Sequence, residues 1–312
     1  MKKWITDILI CPVCLPQEIA LDTIIKREDQ GDIIMGEMVC RACRKVFPIK
    51  DGIAFLNPSY EEYKPENNRY ETSPVISSYL WSHYGDLLGD EQASDAYTQW
   101  AKLMTADSGF CLDIGSAVGR FSFEMSTKKD FVIGIDNSVS FIRAARDLMI
   151  HEYKDISLVQ EGFLTSEERL QLSVKWFPEK VEFLLADAQR LPFRSGIFSS
   201  IASLNLLDKV PSPMKHLTEA NRVASKQGVE FLCSDPYSWS TDTAEEEEWL
   251  GGKKNGDYSG FGIDNLIALL KGEKGNMLPK WKVKQDGSIW WKIRAHRNYF
   301  ELIRSCFVLA ER

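Results

Sequence analysis

FCLDIGSAVGRFSFEMSTKKDFVIGID, residues 110 to 136, reads as strand, glycine turn, helix, strand. Phe110, Cys111, Leu112 and Ile114 form a short apolar run that stops on Asp113 and Gly115. A second run, Phe131 to Ile135, stops on Asp136. Between them lies an amphipathic segment of helical length. A strand that ends on glycines and leads into a helix brings backbone N–H groups and the positive end of the helix up to a ligand. An acid about 20 residues on, at the end of the next strand, suits a pair of ribose hydroxyls. The stretch therefore predicts a nucleoside site.

Glycine spacing narrows the choice of nucleoside. Gly115 and Gly119 enclose Ser116, Ala117 and Val118, and Asp113 precedes the first glycine by two residues. This is not the G-x-G-x-x-G of a dinucleotide fold, which needs close-packed glycines against a pyrophosphate. The D-x-G-x-x-x-G order resembles the first motif of class I S-adenosylmethionine (SAM) methyltransferases. That resemblance implies that Asp113, Gly115, Ser116 and Gly119 wrap the amino-acid end of the cofactor, while Asp136 and its neighbour Asn137 hold the ribose. The plainer alternative is an ordinary tight turn between strand and helix.

Composition sets the outer limits. With 312 residues, 44% hydrophobic and 27% charged, the chain has room for one large domain and a small one. A net charge of -7 disfavours a broad grip on nucleic acid, which needs a concentrated basic face. Asp7 breaks the apolar start and Cys11-Pro12 ends it too early for a signal peptide, and no run approaches a membrane span. The expectation is a cytoplasmic protein with reduced thiols and no membrane contact.

Toward the N-terminus, Cys11-x-x-Cys14 and Cys40-x-x-Cys43 are separated by about 25 residues, the spacing of a zinc ribbon. Four thiolates from two tight turns predict a closed, structural zinc site. A metal also explains how so short a segment could fold. The stretches ILICPVC and MVCRACRKVFPIKDGIAFL resemble the small Trm112-like zinc domain, over roughly residues 5 to 57. Members of that family occur free or fused to methyltransferases, and some stabilise or activate the catalytic partner. The resemblance implies a protein partner for the ribbon, which the rest of the chain can supply. Residues 58–71, polar and carrying Pro58 and Pro65, read as a linker, and residues 72–312 as the catalytic domain.

Helical patterning resumes at Ser73-Pro74, read as N-cap and first turn, and a second helix is expected from about Gln92 to Met104. His83 and Tyr84 read either as a lid over the cofactor or as packing against the sheet. After Asp136, Asn137-Ser138 caps another helix, and His151 to Lys180 has no legible fold. The next strand, Val181 to Leu185, closes on Ala186-Asp187-Ala188. In a SAM site an acid here, Asp187, faces the adenine amino group, and a small neighbour, Ala188, lets the ring lie against the backbone. A fourth strand ends in Asn205-Leu206-Leu207-Asp208, and a fifth leads to Asp235-Pro236-Tyr237.

Further stretches carry a finer resemblance. DIGSAVGRFSFEMS, GIDNSVSFIRAA, SHYGD, NLLDKVPSP, CSDPYSWSTDTAEEEEWLGG and IWWKIRAHRNYFELIRSCFVLAER resemble the methyltransferase module of ovothiol biosynthesis, which methylates an imidazole nitrogen of mercaptohistidine. Asp235 stands where that family has a serine, and a zinc ribbon replaces its sulfoxide-synthase domain.

Methyl transfer from a sulfonium mainly requires alignment and exclusion of water, and needs a base only where the acceptor must lose a proton. Candidate catalytic groups are Asp208, Tyr237 and His296. Candidate acceptor contacts are Asn205, also a cofactor neighbour, together with Trp239 and Arg294, whose guanidinium suits a carboxylate. Tyr84 is the candidate lid. Asp208 reads equally well as a helix cap, Trp239 as packing and His296 as surface. Together these features predict an α/β fold, a Rossmann-like, seven-stranded, mostly parallel sheet after a small zinc ribbon. The expected activity is SAM-dependent methylation of a small molecule such as an amino-acid or imidazole derivative. Two other readings are an RNA or protein methyltransferase that docks substrate on its ribbon, marked by a basic strip through Arg41, Arg44 and Lys45, and a non-catalytic scaffold.

Overall fold

The computed structural model describes residues 1–60, 69–275 and 277–312. Pro65 and most of the expected linker fall outside the described residues. The ribbon is an antiparallel sheet of four strands, β1 (Leu21–Asp29), β2 (Asp32–Cys40), β3 (Val46–Lys50) and β4 (Ile53–Ala54). Asp51 and Gly52 both take positive φ, +50° and +74°, so the Asp-Gly pair makes the turn its chemistry predicts.

The catalytic domain contains α1 (Ser73–Tyr84), α2 (Ala96–Leu103), β5 (Phe110–Ile114), α3 (Arg120–Met125), β6 (Phe131–Asp136) and α4 (Val139–His151). It continues through β7 (Tyr153–Glu161), β8 (Leu164–Gln171), β9 (Val181–Leu185), β10 (Ser200–Leu204) and α5 (Pro213–Val223). Then come β11 (Glu230–Asp235), α6 (Gly262–Leu270), β12 (Lys282–His296) and β13 (Tyr299–Glu311). Seven strands form one sheet in the order β12-β13-β11-β10-β5-β6-β9. The five from β11 to β9 are parallel, and β13 runs antiparallel between β11 and β12. This is the expected Rossmann-like sheet with its reversed last strand. Every residue of β9 and β10 is buried, as parallel strands covered on both faces must be.

Three local expectations need correction. Thr72, not Ser73, occupies the cap position of α1: its backbone is extended and its carbonyl accepts from the Ile76 N–H at 3.0 Å, so Ser73 is already helical. The second helix starts at Ala96 rather than Gln92, since the Asp90 carboxylate accepts the Gln92 N–H at 2.9 Å and holds a turn there. Residues 69–71, read as linker, form a 3-10 turn, and the Glu71 carboxylate accepts from the Val139 and Ser140 N–H groups at 2.8 and 2.9 Å. That acid satisfies the free donors at the start of α4. The segment without a legible fold is the β7–β8 hairpin.

The ribbon is seated on the outer edge of the sheet. Phe55 bridges Leu185 in parallel, and the Leu56 N–H donates to the Leu185 carbonyl at 2.7 Å. At the other end of β9, the fully buried Glu182 accepts from the Lys2 N–H at 2.7 Å and pairs with Arg146. Ile10 donates to the Pro192 carbonyl at 2.9 Å. One apolar core runs through both parts, from Met38 and Phe47 to Ile135 and Leu184.

Candidate active site

A cavity of about 270 Å³ lies beyond the carboxyl ends of β5, β6, β9 and β10, under α1. Open α/β sheets bind their ligands at this position. The turn after β5 is held by two donors, Gly115 and Ser116, whose N–H groups both reach the Ile135 carbonyl at 2.9 Å. Gly119 has φ +88°, and a Cβ there would lie 2.5 Å from the Phe183 ring, so only glycine allows α3 to start this close to the sheet. Asp136 is clamped by the same turn. Its Oδ2 accepts from the Ala117 N–H at 3.0 Å and its Oδ1 from the Ser138 N–H at 2.8 Å. Burial pushes its pKa up to about 6 against those donors.

Gly115, Asp136, Asn137, Asp187, Ala188 and Asn205 all line this cavity. Asp187 accepts from the Gln189 N–H at 2.9 Å, which fixes its carboxylate on the wall. Asn205 has φ +57°, and neither atom of its side-chain amide has a hydrogen-bond partner. The Ser116 hydroxyl is likewise buried and unpartnered. Such buried groups take a partner from outside the chain, a polar ligand or ordered water. An acid for a ribose, an acid for an amino group and unspent donors beside the glycine turn fit the polar outline of SAM. Asp113, Ser116 and Gly119 stand behind the lining. Asp113 is buried, accepts the Ser122 hydroxyl at 2.6 Å and is pushed up to about 7 by burial, so it braces β5 against α3.

The inner end of the cavity is aromatic. Tyr79 and His83 come from α1, Tyr97 from α2 and Trp291 from β12. His83 Nε2 and the Tyr97 hydroxyl are 2.6 Å apart, and their rings lie 4.0 Å apart. Burial, reinforced by the Arg120 guanidinium, holds the His83 pKa well below its ordinary value, so the ring is neutral. Arg120 fixes the end of α1 by donating to the His83 carbonyl at 2.7 Å and pairing with Asp86 at 2.7 Å. The expected lid is corrected here. Tyr84 does not line the cavity; it is fully buried and its hydroxyl donates to the Val118 carbonyl at 2.7 Å. Sequence reasoning passed over Tyr79, Tyr97 and Trp291. The four-residue spacing of Tyr79 and His83, which puts both on one helix face, was the available signal.

Five other candidates stand elsewhere. Asp208, 2% exposed, accepts from the Ser238 N–H at 2.6 Å and pairs with Lys209 at 3.1 Å, while its own N–H donates to Asp235 at 3.2 Å. Burial raises the pKa of both acids. The pair ties the loop after β10 to the loop after β11, and Lys209 rather than Asp208 faces the cavity. Tyr237 packs its ring so closely on Gly262 that a Cβ there would lie 2.4 Å away. Trp239 stacks on Trp249 at 6.4 Å. Arg294 and His296 do not reach the mouth. Three residues along β12 from Trp291 is about 10 Å, and Arg294 donates there to the Val159 carbonyl at 3.2 Å. His296 sits at the hairpin end, where its Nδ1 accepts from the Asn298 N–H at 3.3 Å.

In the ribbon, the sulfur atoms of Cys11, Cys14, Cys40 and Cys43 all lie within 4.8 Å of one another. Cys11 and Cys43 are 3.6 Å apart, as are Cys14 and Cys40. Tetrahedral zinc with bonds of about 2.3 Å sets its sulfurs about 3.8 Å apart, so the four residues fit the metal. Burial opposes ionisation of Cys40, but the N–H groups of Ala42 and Cys43, each 3.4 Å from its sulfur, bring the thiol down to about 7. Cys11 and Cys40 are buried, Cys14 is half-buried and Cys43 is exposed, so the cluster lies at the rim of the ribbon.

Comparison with known proteins agrees with both halves. The family described as Trm112p-like protein matches residues 2–52, and the family described as methyltransferase domain matches residues 112–232. A UPF0434 protein of Nitrosococcus oceani is 36% identical over 67 residues, 21% of this chain and 95% of its own length. A chloroplastic, uncharacterized methyltransferase of Arabidopsis thaliana is 24% identical over 242 residues, 72% of this chain. The chain spans 60% of that relative's length. A SAM-dependent methyltransferase structure from Methanosarcina mazei shares 18% identity with a TM-score of 0.43, covering 68% of this chain and 95% of that one. Residues 112–232 thus match a methyltransferase domain, preceded at residues 2–52 by a match to a Trm112-like domain.

Proposed function

We propose that this protein methylates a small molecule of amino-acid or imidazole character at the inner end of the cavity. The observation that carries the reading is the His83–Tyr97 pair, which lines the same cavity as Tyr79 and Trp291 and as Gly115, Asp136 and Asp187. Bound SAM supplies an electrophilic methyl group on a positively charged sulfur. Asp136 receives the ribose hydroxyls, Asp187 and Ala188 the adenine, and the Gly115–Ser116 backbone the amino-acid end. The unspent amide of Asn205 orients the acceptor, and aromatic walls exclude water from the transfer. Neutral His83, coupled to the Tyr97 hydroxyl, can take up a proton from an acceptor that must lose one.

Cys11, Cys14, Cys40 and Cys43 would hold a zinc ion that fixes the ribbon turns, and four thiolate ligands would leave it a structural rather than a catalytic role. The protein partner implied by the Trm112-like resemblance is supplied within the chain. Macromolecular docking is less well supported, since Arg41 of the expected basic strip is paired with Asp22 at 2.7 Å. The imidazole acceptor class comes from the ovothiol-module resemblance. Titration calorimetry with S-adenosylhomocysteine tests the cofactor, with micromolar binding expected. Incubation with methyl-labelled SAM and separate pools of small molecules, RNA and protein tests the acceptor. Label confined to RNA or protein would overturn the small-molecule reading.

A further inference from the structure

A second cavity, of about 380 Å³, opens on the other side of α1. Trp81 marks that side of the helix, about 200° around the axis from Tyr79, and its ring lies 6.0 Å from the Arg294 guanidinium. Three connections wall the cavity. The α1–α2 segment contributes Asp90, the β7–β8 hairpin Gln160 and Glu168, and the β12–β13 hairpin Arg294 and Arg297. The hairpins are joined there, since the Arg297 N–H donates to the Gln160 carbonyl at 3.3 Å.

Arg294 is the anomaly. It is only 7% exposed, donates to the Val159 carbonyl at 3.2 Å, and has no carboxylate within ion-pairing distance among the described residues. A guanidinium taken out of water without a counter-ion is unfavourable, and native proteins pair such groups. The nearer acids do not fill the need. Asp90 is committed to the Trp81 indole N–H at 2.8 Å and the Gln92 N–H at 2.9 Å. Glu168 is exposed on the opposite wall. Burial, partly offset by Asp90 and Glu168, holds the Arg294 pKa below its ordinary value, as expected for a cation short of a partner.

The charge pattern defines what would satisfy it. Two guanidiniums and two carboxylates face one polar space. A polyanion would meet Asp90 and Glu168, and a simple cation would meet Arg294 and Arg297. A molecule bearing one charge of each sign meets neither objection. We infer that this second cavity binds a small zwitterion of the amino-acid class, its carboxylate on Arg294 and Arg297 and its ammonium toward Glu168. Guanidinium–carboxylate pairing is the strong, directional contact in such a site. Occupancy would bind both hairpins to the segment that leads into α2, independently of the cofactor cavity.

Calorimetry on the zinc-loaded full chain, saturated with S-adenosylhomocysteine, would test each proteinogenic amino acid, with sodium acetate and methylammonium chloride as single-charge controls. At least one amino acid is expected to bind, and neither control. Arg297→Gln and Glu168→Gln, both at exposed positions, should each raise the Kd at least about tenfold while leaving S-adenosylhomocysteine affinity unchanged. Because both residues lie outside the cofactor cavity, that loss separates this site from acceptor binding. No amino-acid binding, acetate binding as tightly as an amino acid, or unchanged affinity in both variants would overturn the inference.

Discussion

The side-chain amide of Asn57, just past the last ribbon strand, donates a hydrogen bond to Asn137 Oδ1 on the wall of the cofactor cavity. Asn57 is itself held in place, because its Oδ1 accepts from the Ser59 N–H at 2.9 Å. The ribbon therefore touches the residue beside Asp136, the proposed ribose acid. Asn57→Ala should weaken S-adenosylhomocysteine binding about three- to tenfold, the worth of one positioning hydrogen bond. Calorimetry would show it, and an unchanged Kd would reduce the ribbon to a scaffold with no influence on the cavity.

Loss of zinc should reach the same cavity by a longer route. Cys40→Ser leaves three thiolates and frees the turn that ends β2, on which β3 and then β4 are built. Metal content measured by atomic absorption should fall by most of one equivalent, and the melting temperature should drop. Cofactor affinity should fall with it. Full zinc content in the variant would show that the four sulfurs are not the ligand set.

Asp136 sets a pH dependence whose sign follows from its pKa. The carboxyl is raised to about 6 by burial, so it is charged above that pH and protonated below. The charged form accepts ribose hydroxyls better, so S-adenosylhomocysteine affinity should rise as pH increases through about 6 and level off above it. Asp136→Asn should flatten that profile, and Asp136→Ala should weaken binding by about a hundredfold or more. A wild-type profile that is flat from pH 5 to 8 would remove Asp136 from the cofactor contacts.

Glu182 and Arg146 form a buried pair under the ribbon seam. Burial opposes the charge on Glu182, but Arg146 foremost holds its pKa below the ordinary glutamate value. A depressed carboxylate pKa contributes stability above the unfolded-state value and loses it as pH falls through the folded one, so this contribution is present at neutral pH. Glu182→Ala strands the Arg146 guanidinium and should cost about 3–5 kcal/mol of unfolding free energy at pH 7. Denaturant titration measures it, and a loss under about 1 kcal/mol would mean that water reaches Arg146.

Much of this architecture could be read from the chain because its parallel strands are short apolar runs closed by functional residues. Val181–Leu185 matched its predicted span, and Phe131–Asp136 differed by one residue at an end. The Asp113-to-Asp136 unit announced its turn through Gly115 and Gly119, whose positive φ values only glycine adopts freely. The β7–β8 hairpin was not legible, since most of its residues are exposed and give no clean alternation. The acceptor end was misread for a different reason. Whether Trp291 or Arg294 reaches the cavity depends on the register of β12, a strand of 15 residues with two irregularities in its pairing. No local pattern encodes that. His83 and Tyr84 are adjacent in sequence but about 100° apart on the helix, so only packing could decide which one faced inward.

The seam between ribbon and sheet has one more consequence. A strand such as β9, at the rim of a parallel sheet, carries unpaired N–H and C=O groups that will accept any extended chain. Here Phe55 and Leu56 occupy part of that rim. The four thiols thus act as guards of solubility: oxidation or metal starvation, by loosening the ribbon, would uncover a sticky edge and turn a loss of zinc into self-association.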